Sequence, residues 1–150
     1  QGWPTDLSDF PRWAEQTYPG SIIIHPRAAK ALVKSNHPDP QRIAKAIDLL
    51  ATIKLDTYRG DRTRNDDLNT TLLDLRLRDS FSNAESLRGQ TGDDYQITID
   101  GRKLLLSRHL ASSVSGMNDA RLIRVYYVYD KQLDRIVIGW LPTHLRNTKT

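Results

Sequence analysis

The chain has 150 residues, about the size of one domain that buries a hydrophobic core without disulfides or a structural metal. It contains no cysteine, which excludes disulfide bonds and cysteine-ligated zinc and fits a reducing compartment, so we expect a cytoplasmic protein. Its 22 Lys and Arg residues exceed its 18 Asp and Glu residues, and the net charge of +4 favours a polyanionic partner such as nucleic acid. No apolar run approaches the roughly 18 residues that span a bilayer, so no membrane partner is expected.

Residues 1–20 are predicted to form an N-terminal arm that packs on the domain. A short helix in this arm ends at Pro19-Gly20. The arm carries too many aromatic residues for a free tail: Trp3, Phe10, Trp13 and Tyr18. The chain begins with Gln and not Met, which favours a piece of a longer protein.

A strand and two helices are predicted next. Residues 21–25 form a short β-branched run between turn residues, which is typical of a strand. Residues 26–35 and 40–54 then carry apolar side chains at helical spacing. Asp39 followed by Pro40 is a typical helix start. We interpret the two helices as a hairpin that shields one face of a sheet.

Residues 59–92 are interpreted as an insertion that contains one helix. The first part is charged and loop-like, a run of leucines from Leu68 onward predicts the helix, and residues 80–92 return to loop composition. The segment has too few apolar residues for a core of its own, so it is not a second domain.

The C-terminal third is predicted to form an antiparallel sheet. Residues 95–99 alternate strictly, and Asp100-Gly101 is a two-residue hairpin turn before a returning strand at residues 102–106. Two longer strands follow at residues 122–130 and 135–140. Residues 21–150 are therefore predicted to be an α+β domain, in which a helical hairpin packs on a mainly antiparallel twisted sheet of about four or five strands.

The common motifs for nucleotide, zinc or serine-nucleophile sites are absent, because the chain has no GxxxxGK[ST], GxGxxG, HExxH or GxSxG. Its four histidines show no metal-ligand spacing, so no cofactor is expected. Basic and imidazole side chains instead gather on and around the predicted sheet. They are Arg102, Lys103, Arg108, His109, Arg124, His144 and Arg146.

Arg124 is predicted to share the helix-free face of the sheet with Tyr126. Strand alternation places both on one side and Val125 on the other. A guanidinium on such a surface suits a phosphate, and a tyrosine beside it is placed to stack on a base. The alternative is that Arg124 pairs with Asp94 or Asp134 across strands.

His109 and His144 each follow a predicted strand and precede a leucine. Two imidazoles can divide the acid–base work of RNA cleavage, since one accepts the 2′-hydroxyl proton and the other protonates the leaving 5′-oxygen. A neighbouring guanidinium such as Arg108 would stabilise the charge that grows on the phosphate. The alternative is that each imidazole only caps a strand end. His25 and His37 are interpreted as structural.

Parts of this chain resemble the RelE/ParE superfamily of small bacterial toxins. Residues 22–32 are similar to the first strand and first helix of that family, and residues 41–50 to its second helix. Residues 124–130 with 135–139 are similar to its closing strands. The arm at 1–20 and the segment at 59–92 are additional to the family pattern.

The resemblance implies a RelE-like fold and two alternative functions. RelE-type members cleave mRNA on the ribosome with basic residues of the sheet and a C-terminal tyrosine or histidine. ParE-type members inhibit DNA gyrase without cleavage. The first function implies a metal-independent endoribonuclease whose partners are RNA, free or ribosome-bound, and a neutralising antitoxin or immunity protein. The second implies a non-catalytic module that binds nucleic acid or inhibits a protein, which does not need two histidines.

Site residues are assigned from these patterns and by position in the family. The catalytic residues are His109, His144, Arg124 and Arg108, with His144 as the C-terminal proton-transfer group and Arg124 as the phosphate-binding arginine. The nucleic-acid-binding residues are Arg102, Lys103, Tyr126 and Arg146.

Overall fold

The structure is a computed structural model, and it describes residues 2–82, 94–113 and 119–145. None of the helices in these ranges is both long enough and apolar enough to cross a membrane. The N-terminal segment forms a 3-10 turn, Leu7–Asp9, and helix α1, Phe10–Thr17. Leu7, Phe10 and Ala14 are buried in the main core, so this segment is part of the folded unit.

Strand β1, Ile22–Ile24, leads into helices α2, Pro26–Lys34, and α3, Pro40–Leu49. Each helix begins with a proline and is capped by the residue before it. His25 Nδ1 accepts the backbone amide of Arg27 at 3.1 Å, and Asp39 Oδ1 accepts the amide of Arg42 at 3.2 Å. Helix α3 continues through a π-helical stretch, Leu50–Lys54, into α4, Leu55–Tyr58. Both predicted helices are confirmed, and the second extends further than predicted.

The segment interpreted as an insertion contributes a strand to the main sheet. Its predicted helix is present as α5, Asn65–Leu75. At Arg76 the backbone turns sharply with a φ of 55°, and strand β2, Leu77–Phe81, follows. The sequence interpretation omitted this strand, because polar residues occupy both of its faces. The rest of the insertion, residues 83–92, lies outside the described residues.

The predicted hairpin is confirmed, but it forms a sheet of its own. Strands β3, Gln96–Ile99, and β4, Arg102–Leu105, pair only with each other. Asp100 and Gly101 close the turn with φ values of 50° and 78°, the left-handed conformations that a two-residue hairpin requires.

The main sheet has five strands in the order β1-β7-β6-β5-β2. Its remaining strands are β5, Arg108–Ser112, β6, Arg124–Asp130, and β7, Arg135–Trp140. All neighbours are antiparallel except β1 and β7, which are parallel. The α+β class and the mainly antiparallel sheet are therefore confirmed.

Two hydrophobic clusters cover the two faces of this sheet. The helices bury one face, where Val125 and Tyr127 of β6 belong to the larger cluster. The β3–β4 hairpin covers part of the other face, where Tyr126 joins the smaller cluster with Leu106 and Val137. The predicted alternation along β6 is thus confirmed. It leaves the outer face of β2, β5 and the start of β6 as the place where a functional site can form.

Candidate active site

A cleft of about 290 Å³ lies on the side of the main sheet opposite to the helices. Its lining consists of Ser80, Phe81, Ser82, Tyr95, His109, Arg124, Tyr126 and His144. The two predicted catalytic imidazoles and the predicted phosphate-binding arginine therefore reach one cavity, although they come from distant parts of the sequence.

The strand register explains how His109 reaches the cleft. His109 lies within β5, not after a strand as predicted, and it pairs with Ser80 of β2 on one side and Tyr126 of β6 on the other. Paired residues of neighbouring strands project to the same face of a sheet. Ser80, His109 and Tyr126 consequently form one row across the helix-free face.

Tyr126 positions the imidazoles and is not available to stack on a base. Its side chain is 2% exposed, so the prediction that it contacts nucleic acid does not fit the structure. Its ring centroid is 5.3 Å from that of His109 and 6.5 Å from that of His144. Its hydroxyl oxygen accepts the backbone amide of Leu145 at 3.1 Å, which holds the segment after β7 against the sheet and places His144 at the cleft.

His109 is neutral at pH 7 and has the properties of a general base. Burial lowers its pKa to about 4, and repulsion by Arg124 and Arg78 acts in the same direction. The hydroxyl of Ser82 donates to the carbonyl of Leu106 at 2.8 Å. Its oxygen can therefore only accept a hydrogen bond from His109 Nδ1, which is 3.5 Å away.

This arrangement assigns the proton of neutral His109 to Nδ1 and leaves a lone pair on Nε2. The hydroxyl of Ser80 lies 3.4 Å from that Nε2. A hydroxyl group is thus already found where a general base would accept a proton from a substrate. Ser80 and Ser82 were not predicted as site residues, because their segment was interpreted as a loop.

His144 stands at the rim of the cleft and is more exposed than His109. Burial is the main cause that lowers its pKa, and Arg124 acts in the same direction. The same guanidinium therefore influences both imidazoles. A bound anion would offset the charge of Arg124 and favour protonation of the imidazole beside it.

Two arginines flank the row next to His109. The register pairs Arg78 with Ala111 and Ala111 with Arg124. The two arginines therefore lie on the helix-free face, and the small side chain of Ala111 is the one between them in register. Within the described parts of the chain, neither arginine forms an ion pair. Arg78 was missed in the sequence because it follows directly on a predicted helix.

The alternative partners of Arg124 are engaged elsewhere. Asp134 accepts hydrogen bonds from Arg59 at 3.0 Å and from the Tyr129 hydroxyl at 2.6 Å. Asp94 accepts the Arg27 guanidinium on its backbone oxygen at 2.6 Å. Among the described residues, Arg124 forms no ion pair with Asp94 or Asp134, and it lines the cleft.

Arg108 lies on the opposite face of β5 from His109 and does not line the cleft. It donates to Asp79 and to the hydroxyl of Tyr127, at 3.2 Å in each case for the closest nitrogen. Lys54 also contacts Asp79, at 2.8 Å. This buried network joins the helices to the sheet, so the prediction of Arg108 as a catalytic residue does not fit its position.

The other predicted nucleic-acid-binding residues are not at the cleft either. Arg102 of the hairpin forms a bidentate ion pair with Asp130, at 3.0 and 2.6 Å. Lys103 is exposed on β4 and pairs in register with Thr98. Arg146 lies outside the described residues.

The remaining two histidines have structural contacts. His25 caps α2 and its Nε2 lies 3.1 Å from the Thr98 carbonyl. His37 Nδ1 accepts the amide of Asp39 at 3.0 Å, and its Nε2 lies 3.1 Å from the Leu122 carbonyl. Across the three described ranges, no three His, Asp or Glu side chains are grouped as ligands of a metal ion.

Comparison with known proteins gave no match: no family model fits this chain, and no curated protein and no solved structure is significantly similar to it.

Proposed function

We propose that this protein is a metal-independent endoribonuclease of the RelE-like toxin type. The proposal depends on one observation: His109, His144 and Arg124 line the same cleft on the helix-free face of the sheet. The order of a first strand, helices and a closing antiparallel meander supports the RelE-like resemblance.

His109 would act as the base and His144 as the acid. Nε2 of His109 accepts the 2′-hydroxyl proton of the substrate while the 2′-oxygen attacks the neighbouring phosphorus atom. The bond from phosphorus to the 5′-oxygen breaks, and the His144 imidazolium gives its proton to that oxygen. The products are a 2′,3′-cyclic phosphate and a 5′-hydroxyl.

Arg124 would bind the scissile phosphate and stabilise the charge that grows on it. Arg78, which shares the row across β2, β5 and β6, would add a second cation. The bound phosphate raises the pKa of His144, since it offsets the repulsion from Arg124. Substrate binding thereby supplies the protonated imidazole that the second step requires.

One observation favours a second candidate, a non-catalytic module that binds nucleic acid or inhibits a protein. Both imidazoles have lowered pKa values, so at pH 7 both are mainly neutral in the free protein and the imidazolium that donates a proton to the leaving oxygen is a minor form. In both candidates the RelE/ParE resemblance suggests a neutralising antitoxin or immunity protein as a further partner.

The two candidates separate in a cleavage assay. Purified protein is incubated with a single-stranded RNA and a chelator, free and then with ribosomes, and compared with His109→Ala and His144→Ala. We expect cleavage without metal and a loss of at least about 100-fold in each variant, the usual size of a general acid–base contribution.

His37→Asn provides the matched control, because this imidazole lies outside the cleft and asparagine keeps an acceptor for the Asp39 amide. It should cleave at the wild-type rate. Intact RNA with wild-type protein, with and without ribosomes, would rule out the ribonuclease. RNA that is bound but uncut would support the non-catalytic module.

A further inference from the structure

A second cavity, of about 390 Å³, opens between α3, the end of α5 and the 3-10 turn Asp119–Arg121. Basic residues outnumber acidic ones in its lining. The charged members are Arg42, Lys45, Arg76, Arg121, Asp39 and Asp74. The excess of positive charge makes this cavity attractive to an anion.

Arg42 lines this cavity and links two chain segments. Its guanidinium donates to the carbonyls of Leu75 at 2.7 Å, Arg76 at 2.9 Å and Arg121 at 3.4 Å. These bonds place the backbones of Arg76 and Arg121 side by side. The Arg76 and Arg121 side chains are exposed and form no ion pair with the described residues, so both can meet a ligand.

The backbone at Arg76 is held in a conformation that costs free energy for arginine. Its φ of 55° lies in the left-handed region, and the residue ends α5 at a position where glycine is favoured. Burial is the main cause that lowers the pKa of Arg42, and the charge of the nearby Arg76 acts in the same direction. Backbone strain and a neighbouring like charge both cost free energy. Such costs are typical of a residue whose side chain contacts a ligand.

The basic cavity lies beside the start of β2, the end of the sheet at which Arg124 of β6 lines the cleft. Arg76 comes two residues before Arg78, the second residue of β2. Arg121 comes just before Arg124, the first residue of β6. Arg78 and Arg124 therefore lie between the basic cavity and His109.

We propose that the basic cavity is a distal phosphate-binding subsite for single-stranded RNA. It holds the backbone of the same strand whose scissile phosphate lies in the cleft. The subsite rests on the proposed ribonuclease function. A single strand is required, because the backbone must bend around the end of the sheet from its helix-free face to the helix side. A continuous duplex is too stiff for that path.

The test compares Arg76→Gly/Arg121→Ala with a control of equal charge, Lys30→Ala/Lys34→Ala on the exposed surface of α2. Binding of a 12-nucleotide 2′-O-methyl RNA, which the enzyme cannot cleave, is measured over a range of salt concentrations. Each lost phosphate contact lowers the slope of log affinity against log salt by about 0.7, so the subsite variant should lose about 1.4. The control should keep the wild-type slope.

Two further measurements separate the subsite from a general loss of stability. Arg76→Gly alone should raise the melting temperature by about 2–4 °C while it weakens RNA binding, because glycine relieves the strained backbone. For cleavable RNA, the ratio of kcat/KM for a 12-nucleotide strand to that for a dinucleotide should fall by about tenfold in the double variant.

The outcomes distinguish the two proposals. If wild-type protein neither binds nor cleaves RNA, the ribonuclease proposal fails and the subsite fails with it. If wild-type protein cleaves RNA but the subsite variant keeps its salt slope and length ratio, or the Lys30/Lys34 control loses as much, the subsite alone is overturned.

Discussion

Protonation of His109 should destabilise the folded state, by an amount that depends on how far folding lowers the pKa of this imidazole. Burial, together with Arg124 and Arg78, lowers the pKa from 6.5 to about 4. The folded state therefore binds fewer protons than the unfolded state between these two values. The contribution to the free energy of unfolding is fully present above pH 6.5 and is lost as the pH falls to about 4. Each pKa unit corresponds to about 1.4 kcal/mol, which gives an upper bound of about 3 kcal/mol; solvent screening of the partly exposed imidazole reduces the expected effect to about 2 kcal/mol.

Urea unfolding of the wild type and of His109→Gln, from pH 7.5 to 4.5, measures this contribution. Glutamine does not titrate, and its amide can still donate to the Ser82 oxygen. Other titrating groups, including His144 and His37, act equally in both proteins and cancel in the difference. Relative to the variant, the wild type should lose roughly 1–2 kcal/mol between the two ends of the range. Parallel curves for the two proteins would refute the lowered pKa and with it the buried, arginine-flanked position of the imidazole.

Three other predictions follow from the same geometry. Arg124→Gln should raise the pKa of both His109 and His144, observed by NMR titration of the imidazole protons, and should lower the salt slope of RNA affinity by about 0.7; unshifted pKa values would place Arg124 outside the site. Asp79→Asn should reduce the free energy of unfolding by about 3 kcal/mol in urea, because it leaves buried cations without their carboxylate, and a loss under 1 kcal/mol would contradict the network. The pH profile of kcat/KM should be bell-shaped, with an acidic limb near 4 from His109 and an alkaline limb below 6.5 from His144; an optimum above pH 7 would exclude this assignment of base and acid.

Local patterns in the sequence predicted the elements whose two faces differ. Residues 124–130 alternate between the two faces of the sheet, and the structure places Val125 in the cluster beneath the helices and Tyr126 in the cluster on the opposite face, as expected. Asp100-Gly101 predicted its turn correctly, because both residues tolerate a positive φ.

Strand β2 escaped prediction because its inward residue is charged. Asp79 faces the helices, where the sequence pattern calls for an apolar residue, and it is stable there only because Lys54, Arg108 and Tyr127 converge on it. These partners come from three other elements, so no window of sequence reveals them. Arg108 was misassigned because no strand was predicted at residues 108–112, so its alternation with His109 on β5 was not expected.

The central residues of the site could be predicted, but not their supporting contacts. The types and approximate positions of His109, His144 and Arg124 pointed to acid–base chemistry on a phosphate. The contact of Ser82 with His109 depends on the register between β2 and β5, and the position of His144 depends on the hydroxyl of Tyr126. Such long-range pairings are properties of the folded chain and leave no local signal.

The chemical identity of the newly formed RNA ends tests the central claim most directly. Mass spectrometry of the products made in the presence of a chelator should show a 2′,3′-cyclic phosphate on one fragment and a 5′-hydroxyl on the other. A single 2′-deoxy nucleotide at the cleavage position should block the reaction. Fragments with a 5′-phosphate and a 3′-hydroxyl, or cleavage that persists at the 2′-deoxy position, would contradict the assignment of His109 as the base that activates the 2′-hydroxyl.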